Sequence, residues 1–452
     1  MPTTTSTTVA PPAVSPGAAF LYWLKLGCIS FGGPTGQIAI MHHDLVEKKR
    51  WISEQRFLHA LNYCMVLPGP EAQQLATYIG WLMHKTAGGI VAGTLFVLPS
   101  LFVLIGLSWI YLAWGDVPAV SGVLYGIKPA VIAIVLFAAW RIGTRALRNS
   151  TLWAIAAAAF IAIFVFKLPF PSIILGAGLI GYVGGRLQPA RFATGGGHAS
   201  GVAATTGALI DDDTPTPAHA VFTWSRVTRI AACGAALWAL PMGALIYRFG
   251  WEHTLSQMGW FFTKAALLTF GGAYAVLPSV YQGGVEQYHW LTATQMIDGL
   301  ALGETTPGPL IMVVTFIGFV GGWTKQLFGA DSLATAGIVA GVVVTYFTFL
   351  PSFIMIFLGG PLIETTHGNL KFTAPLTGIT AAVVGVILNL AVFFAWHVLW
   401  PQGFAGRPDF AAALICVVAG IALWRCRIGI IPVIVGCGAA GLAVTLLRPF
   451  AG

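Results

Sequence analysis

Apolar runs long enough to cross a bilayer recur along almost the whole chain. A transmembrane helix needs about 20 apolar residues. Nine stretches meet or approach that length: 87–113, 119–141, 151–168, 171–186, 227–249, 334–358, 374–398, 409–424 and 428–447. Four further runs, 18–40, 58–82, 257–280 and 297–322, are apolar but interrupted by glycine and proline. Irregular backbone at membrane depth is tolerated only where it lines a protein cavity, so these runs predict broken or re-entrant helices. From about 187 to 225 the pattern lapses into Gly195-Gly196-Gly197, Asp211-Asp212-Asp213 and scattered Thr and Pro, which reads as a structureless linker. The expected fold is an all-α polytopic membrane protein with about nine full spans plus two re-entrant pairs, up to 13 membrane segments.

The pattern occurs twice. At one constant offset Lys25 meets Lys264, Phe31-Gly32-Gly33 meets Phe270-Gly271-Gly272, and Val46-Glu47 meets Val285-Glu286. Trp51 then meets Trp290, and Pro68-Gly69-Pro70 meets Pro307-Gly308-Pro309. After a short insertion Leu98-Pro99-Ser100 meets Leu350-Pro351-Ser352, and Gly126-Ile127 meets Gly378-Ile379. Shared Gly, Pro and Trp match by chance far less readily than Leu or Ala, so the chain is read as a duplication. The expected organisation is a flexible tail at 1–17, a first repeat at 18–187 and a polar cytoplasmic linker at 188–226. A connecting transmembrane helix at 227–249 and a second repeat at 250–452 follow.

Charge then orients the halves. The loop 41–57 carries Lys48, Lys49, Arg50 and Arg56, the loop 141–150 carries Arg141, Arg145 and Arg148, and the linker region carries Arg186, Arg191, Arg226 and Arg229. Cytoplasmic loops concentrate Lys and Arg, which places all three inside. The first two share a side only if 58–82 enters the membrane and returns. Helix 227–249 then starts the second half outside, and its equivalent of the basic loop, 280–296, contains no Lys or Arg. The repeats are therefore expected to be inverted.

Composition agrees. Only 8% of the 452 residues are charged and 57% are apolar, whereas a soluble domain carries about 25% charged residues. The net charge of +8 is spread over short loops rather than one patch, so it reads as topology and not as nucleic-acid binding. The six cysteines are scattered mostly in apolar runs and read as core residues. No nucleophile elbow, Walker loop or HExxH pattern is present, so no enzyme chemistry, metal or cofactor is expected.

Inverted, broken helices point to a secondary transporter, with its site where the breaks face each other near the midplane. Half-helices starting at such breaks aim unpaired N–H groups and a positive dipole end at a ligand, which suits an anion. The candidate binding residues are Gly32, Gly33, Gly36, Gln37, Gly69, Gln73 and Gln74 in the first half, with Gly271, Gly272, Tyr274, Thr305, Thr306 and Gly308 in the second. Lys25 and Lys264 join them, because a lysine inside an apolar run is costly unless it works or snorkels to an interface. Glu71 and Glu304, flanking the two Pro-Gly-Pro turns, are candidates for proton coupling, or else cap nearby N–H groups. His42 and His43 sit at the mouth of the first break as an anion-attracting vestibule.

Phe31-Gly32-Gly33-Pro34, Trp51-Ile52-Ser53-Glu54 and Asn62–Ala76 resemble the chromate ion transporter family, long-chain two-domain form. Phe270-Gly271-Gly272-Ala273-Tyr274 and Glu304-Thr305-Thr306-Pro307-Gly308-Pro309-Leu310 are similar to its second-domain signature. The resemblance covers all but the tail and linker. It implies export of chromate from the cytoplasm across a bacterial inner membrane, coupled to the proton motive force, with sulfate as a related anion. Chromate or a related oxyanion, protons and lipid are the implied partners, and a homodimer is allowed. His42-His43 departs from the family's frequent His-Arg pair. Sulfate or another divalent oxyanion remains the alternative substrate; an intramembrane enzyme or a scaffold fits the paired breaks less well.

Overall fold

The computed structural model describes residues 12–447 apart from 32, 193–206, 213, 216, 271–272, 367–372 and 404–405. Among the described residues the regular elements are all helical, apart from one isolated bridge. In the first half the elements are α1 (Pro16–Ile29), α2 (Gly33–His42), α3 (Glu54–Val66), α4 (Glu71–Trp114), α5 (Pro118–Ala146), α6 (Ser150–Phe164), α7 (Phe170–Leu187) and the short α8 (Pro189–Phe192). Next comes α9 (Trp224–Phe249). The second half contains α10 (Thr254–Leu267), α11 (Leu277–Tyr281), α12 (Ala293–Thr305), α13 (Val313–Thr324), α14 (Leu333–Thr366), α15 (Thr373–Leu399), α16 (Phe410–Trp424) and α17 (Ile430–Leu447). Part of the tail expected at 1–17 lies outside the described residues, and α1 already opens at Pro16, capped by Ser15 Oγ on the Ala18 N–H.

The repeat seen in sequence is reproduced in the backbone. Ser53 caps α3 and its mate Thr292 caps α12, in the second case with Gln295 returning the bond as a capping box. Asn149 caps α6 and Asp409 caps α16. A six-residue π-helical turn falls at His43–Lys48 and again at Gln282–Gln287. The left-handed non-glycine residues also pair between halves: Arg50 with His289, Lys85 with Gln326, and Lys167 with Arg427.

One element differs from its sequence reading. The later part of the run 58–82, from Glu71, and the span 87–113 form one 44-residue segment, α4, interrupted by non-helical His84 and Lys85, while 58–66 belongs to α3. Arm 71–83 packs back along arm 86–114, with Gly80 against Ala92 and Gly93 against Thr77. The returning half-helix and the next span are thus a tight helical hairpin. Among the described residues seven helices are long and apolar enough to cross a membrane, α4, α5, α7, α9, α14, α15 and α17. The nine expected full spans also included α6 and α16, each 15 residues, or about 22 Å. Large apolar side chains such as Phe102, Trp153, Leu175 and Val435 are exposed along these helices, as lipid-facing surfaces require.

Repeat mates run antiparallel, which is what inversion demands. Along α4 and α14, Gly93 faces Phe353 and Gly89 faces Phe357. The outer helices are exchanged between halves: α6 and α7 pack on α15, while α16 and α17 pack on α5. The contact is close because Gly126 lies against the Cys437 carbonyl and Gly441, and its mate Gly378 against the Ala177 carbonyl and Gly181. No side chain larger than hydrogen fits at either crossing.

The linker is not structureless where it is described. Ile210 pairs with Ile52 in a bridge, the Ser53 N–H donates to the Ile210 carbonyl, and Ser53 Oγ donates to Asp212. Further on, Arg56 donates to the Thr214 carbonyl and His219 Nε2 to the Trp81 carbonyl at 2.8 Å. The described residues of 207–222 therefore lie as a strap on the first half, against Trp51–Arg56 and Trp81.

Candidate functional site

The two Pro-Gly-Pro turns each bond to backbone just beyond a helix of the opposite half, α10 and α1. The Gly69 N–H donates to the Thr269 carbonyl at 2.8 Å, and the Gly308 N–H donates to the Ser30 carbonyl at 2.7 Å. Ser30 and Thr269 are repeat mates, as are Gly69 and Gly308, so each half closes on the other through the same bond. Both turns need positive φ, 118° at Gly69 and 101° at Gly308, in the region that favours glycine. Gly69 sits over Ser352 and Gly308 over Ser100, again a pair of mates. The sequence reading gave the break N–H groups to an anion; here these two are committed to each other's carbonyls.

Side chains around this crossing carry the remaining polarity. Gln37 Nε2 donates to the Ser30 and Gly308 carbonyls, tying α2 to the opposite half. Gln74 Nε2 donates to the Pro68 carbonyl at 2.7 Å and Gln73 Nε2 to Thr77 Oγ1 at 3.1 Å. All three glutamines are fully buried. Among the described residues the Oε1 atoms of all three, with the hydroxyls of Ser30, Ser100 and Ser352, are buried without a hydrogen-bond partner. Native interiors leave few such groups unbonded, which singles these residues out as candidates for binding.

Other candidates fall at various distances from the crossing. The Thr305 and Thr306 hydroxyls donate back to the Leu302 and Gly303 carbonyls within α12. Tyr274 donates to Glu304, which is buried, and Glu71 opens α4 in a half-buried position. Gly33 and Gly36 begin α2, whereas Gly32, Gly271 and Gly272 lie outside the described residues. Lys25 and Lys264 are not brought to the crossing: both are exposed, and the Lys264 ammonium stands 5.6 Å from the Trp260 ring. At the turn after α2 His42 pairs with Glu54 and Glu47, and His43 pairs with Glu47 at 2.8 Å. The His43 bond holds the exposed Glu47 carboxyl below its usual range. The vestibule is thus a balanced cluster rather than a purely basic one.

Two charged clusters escaped the sequence reading. On the side of the strap Glu364 of α14 accepts from Tyr78 and lies 3.3 Å from Arg56 of α3. Toward the other side Asp298 of α12 accepts from Tyr111 at 2.9 Å and lies 3.4 Å from Lys128 of α5. Each joins the helix rising to a Pro-Gly-Pro turn to a helix of the opposite half. Lys128 within 119–141 and Asp298 within 297–322 carry the same signal, a charge in an apolar run, that singled out Lys25 and Lys264.

Inverted halves, breaks bonded across a pseudo-two-fold, and buried unpartnered polar atoms at their meeting define a multi-pass membrane protein of the transporter class. A chromate transporter family profile matches residues 17–182 and 256–442, one copy on each half, and the chain belongs to that family. It is 32% identical to a chromate transport protein of Pseudomonas aeruginosa, over 98% of this chain and 95% of the relative. A chromate transport protein of Cupriavidus metallidurans is 29% identical over 83% of this chain and 81% of its own length. A probable chromate transport protein of Synechococcus elongatus is 28% identical over 90% of each. No solved structure matches.

Proposed function

We propose that the protein exports chromate from the cytoplasm across a bacterial inner membrane, driven by the proton motive force. The reciprocal crossing of the breaks, lined by buried polar groups with no protein partner, carries this reading. The anion lies between the Pro-Gly-Pro turns, in reach of Gln37, Gln73, Gln74, Ser100 and Ser352. The closed bonds from Gly69 and Gly308 describe an occluded state; releasing them frees two N–H donors for the anion. Glu71 and Glu304, beside the two turns, take up and release the coupled proton, and Lys25 and Lys264 act in approach rather than in binding. Relatives named for chromate transport support the choice of substrate.

Everted membrane vesicles energised with an acid-inside gradient are expected to accumulate chromate, and dissipating the gradient to abolish accumulation. Gradient-independent behaviour would end this reading. Equal accumulation of sulfate would widen the substrate to divalent oxyanions at large.

A further inference from the structure

The two ion pairs that join the halves are built from different cations. Arg56 of α3 meets Glu364 of α14 at 3.3 Å, and Lys128 of α5 meets Asp298 of α12 at 3.4 Å. A guanidinium keeps its charge at any cellular pH and offers a rigid fork of donors, whereas an ammonium is a compact point charge on a flexible stem. The carboxylates differ as well. Both Glu364 oxygens accept hydrogen bonds, one from Tyr78 and one from Arg56. Asp298 Oδ2 accepts from Tyr111, but Oδ1 is buried without a hydrogen-bond partner among the described residues, although the ammonium stands close by. That oxygen has a lone pair open to a proton.

The inverted repeat supplies a comparison within the molecule. At the offsets that relate the halves, Asp298 corresponds to His59, Tyr111 to Ile363 and Lys128 to Thr380. His59 Nε2 donates to the Ile363 carbonyl at 3.3 Å, so the mates of Asp298 and Tyr111 also touch. The two clusters are therefore one junction met twice. In each, the helix leading to a Pro-Gly-Pro turn crosses the far end of the other half's long helix. Thr380 donates its hydroxyl to Leu376 of its own helix. The junction is thus made once with no acid at the Asp298 position and no base at the Lys128 position, so packing alone does not call for them. Charges inside apolar runs are costly and mark function by default.

Titration of Asp298 changes a contact between the halves. Lys128 and Tyr111, both of the first half, are the charged or titratable groups facing it among the described residues. Of the other elements packed on α12, α13 and Leu310–Met312 carry no titratable group and α17 carries Cys437. His397 of α15 is bonded to its own Phe393 carbonyl. With the carboxylate ionised the pair is neutral and draws α12 onto α5. A proton added to Oδ1 removes that attraction and leaves the cluster with the single positive charge of Lys128. α12 carries the resulting freedom to its turn, since Asp298 lies about 10 Å along the helix from Thr305. Just beyond, Gly308 is bonded to Ser30 of the first half. Glu304 differs, because its partner Tyr274 belongs to its own half. We propose that Asp298 is a proton-binding site of the transport cycle, and that a proton on Oδ1 releases α12 from Lys128 and frees its turn to move against the first half. This rests on the reading of the protein as a proton-driven exporter.

The test uses purified full-length protein in proteoliposomes and two chromate assays. Accumulation is driven by an imposed proton gradient; exchange follows labelled chromate between equal pools at one pH and needs no net proton movement. Asp298→Asn should lose accumulation and keep exchange. Asp298→Glu, which restores a carboxyl group, should recover accumulation. A carboxylate of purely structural use would move both assays together. Infrared difference spectra, taken on acidifying the detergent-solubilised protein from pH 8 to pH 5, give a reading that needs no transport. The band of protonated carboxyl groups should lose a component in Asp298→Asn and show it displaced in Asp298→Glu. The glutamate variant alone decides this arm if the asparagine variant does not fold. Wild-type accumulation in Asp298→Asn, loss of exchange together with accumulation in the folded variant, or infrared spectra unchanged from wild type would overturn the proton site. No chromate movement by the wild-type protein in either assay would instead overturn the transport reading, and the infrared component would still answer for Asp298.

Discussion

Asp298 is 2% exposed, and its carboxylate is held by one tyrosine and one lysine. A buried ion pair adds little net stability, but breaking one side leaves an uncompensated charge. The two partners are not equivalent, since the Lys128 side chain is 26% exposed and can reach water. Lys128→Met should therefore destabilise the detergent-solubilised protein by about 3 kcal/mol and Asp298→Asn by clearly less. The double variant should recover most of the loss in a double-mutant cycle read by thermal unfolding. Additive losses would show that the pair is not coupled. Residues of this kind were legible only in part. Glycine, proline and glutamine at the breaks could be picked out by type and spacing, but the Gln37 amide also bonds the Gly308 carbonyl, 271 residues away, which no local pattern announces.

At the scale of elements, the spans, the breaks and their inversion could be read from apolar length and from the position of Lys and Arg. The strap 207–222 could not. Its anchors are chiefly backbone bonds, Ile210 to Trp51 and Ser53, which leave no hydrophobic periodicity behind. Its pH response follows from His219. Burial pushes this imidazole below its usual pKa; the Trp81 carbonyl opposes the shift, and Lys85 and Arg226 reinforce it. A depressed folded-state pKa means that the unfolded or undocked strap binds the proton more readily, so docking is favoured above the ordinary histidine range and weakens as pH falls below about 6.5. Hydrogen exchange of 207–222 at matched chemical exchange rates should accelerate from pH 7.5 to 5.5, and His219→Gln should flatten that dependence. Unchanged protection across this range would remove His219 from the strap's energetics.

For the whole molecule, the pseudo-two-fold makes a quantitative demand. Gly126 on α5 and Gly378 on α15 occupy equivalent crossings, each against a carbonyl and a glycine of the other half's exchanged helix. Gly126→Val and Gly378→Val should each force apart a crossing where even a methyl group has no room, with similar losses of about 3 kcal/mol or more. Thermal unfolding of the two variants should agree within error, and strongly unequal losses would contradict the pseudo-symmetry. Sequence repeats suggested equivalence but not exchange, because α7 and α17 are both apolar and nothing in their composition names a partner.

That exchange also fixes an order of events at the ribosome. α5 enters the bilayer long before α16 and α17 are synthesised, so its glycine face at Gly122 and Gly126 must wait in lipid for residues 410–447. Until the last helix arrives neither half is complete, and a chain truncated after α15 loses its first half's support as well as its own end. Residues 410–447 thus complete the cover of α5 in the first half and the second repeat itself in one step.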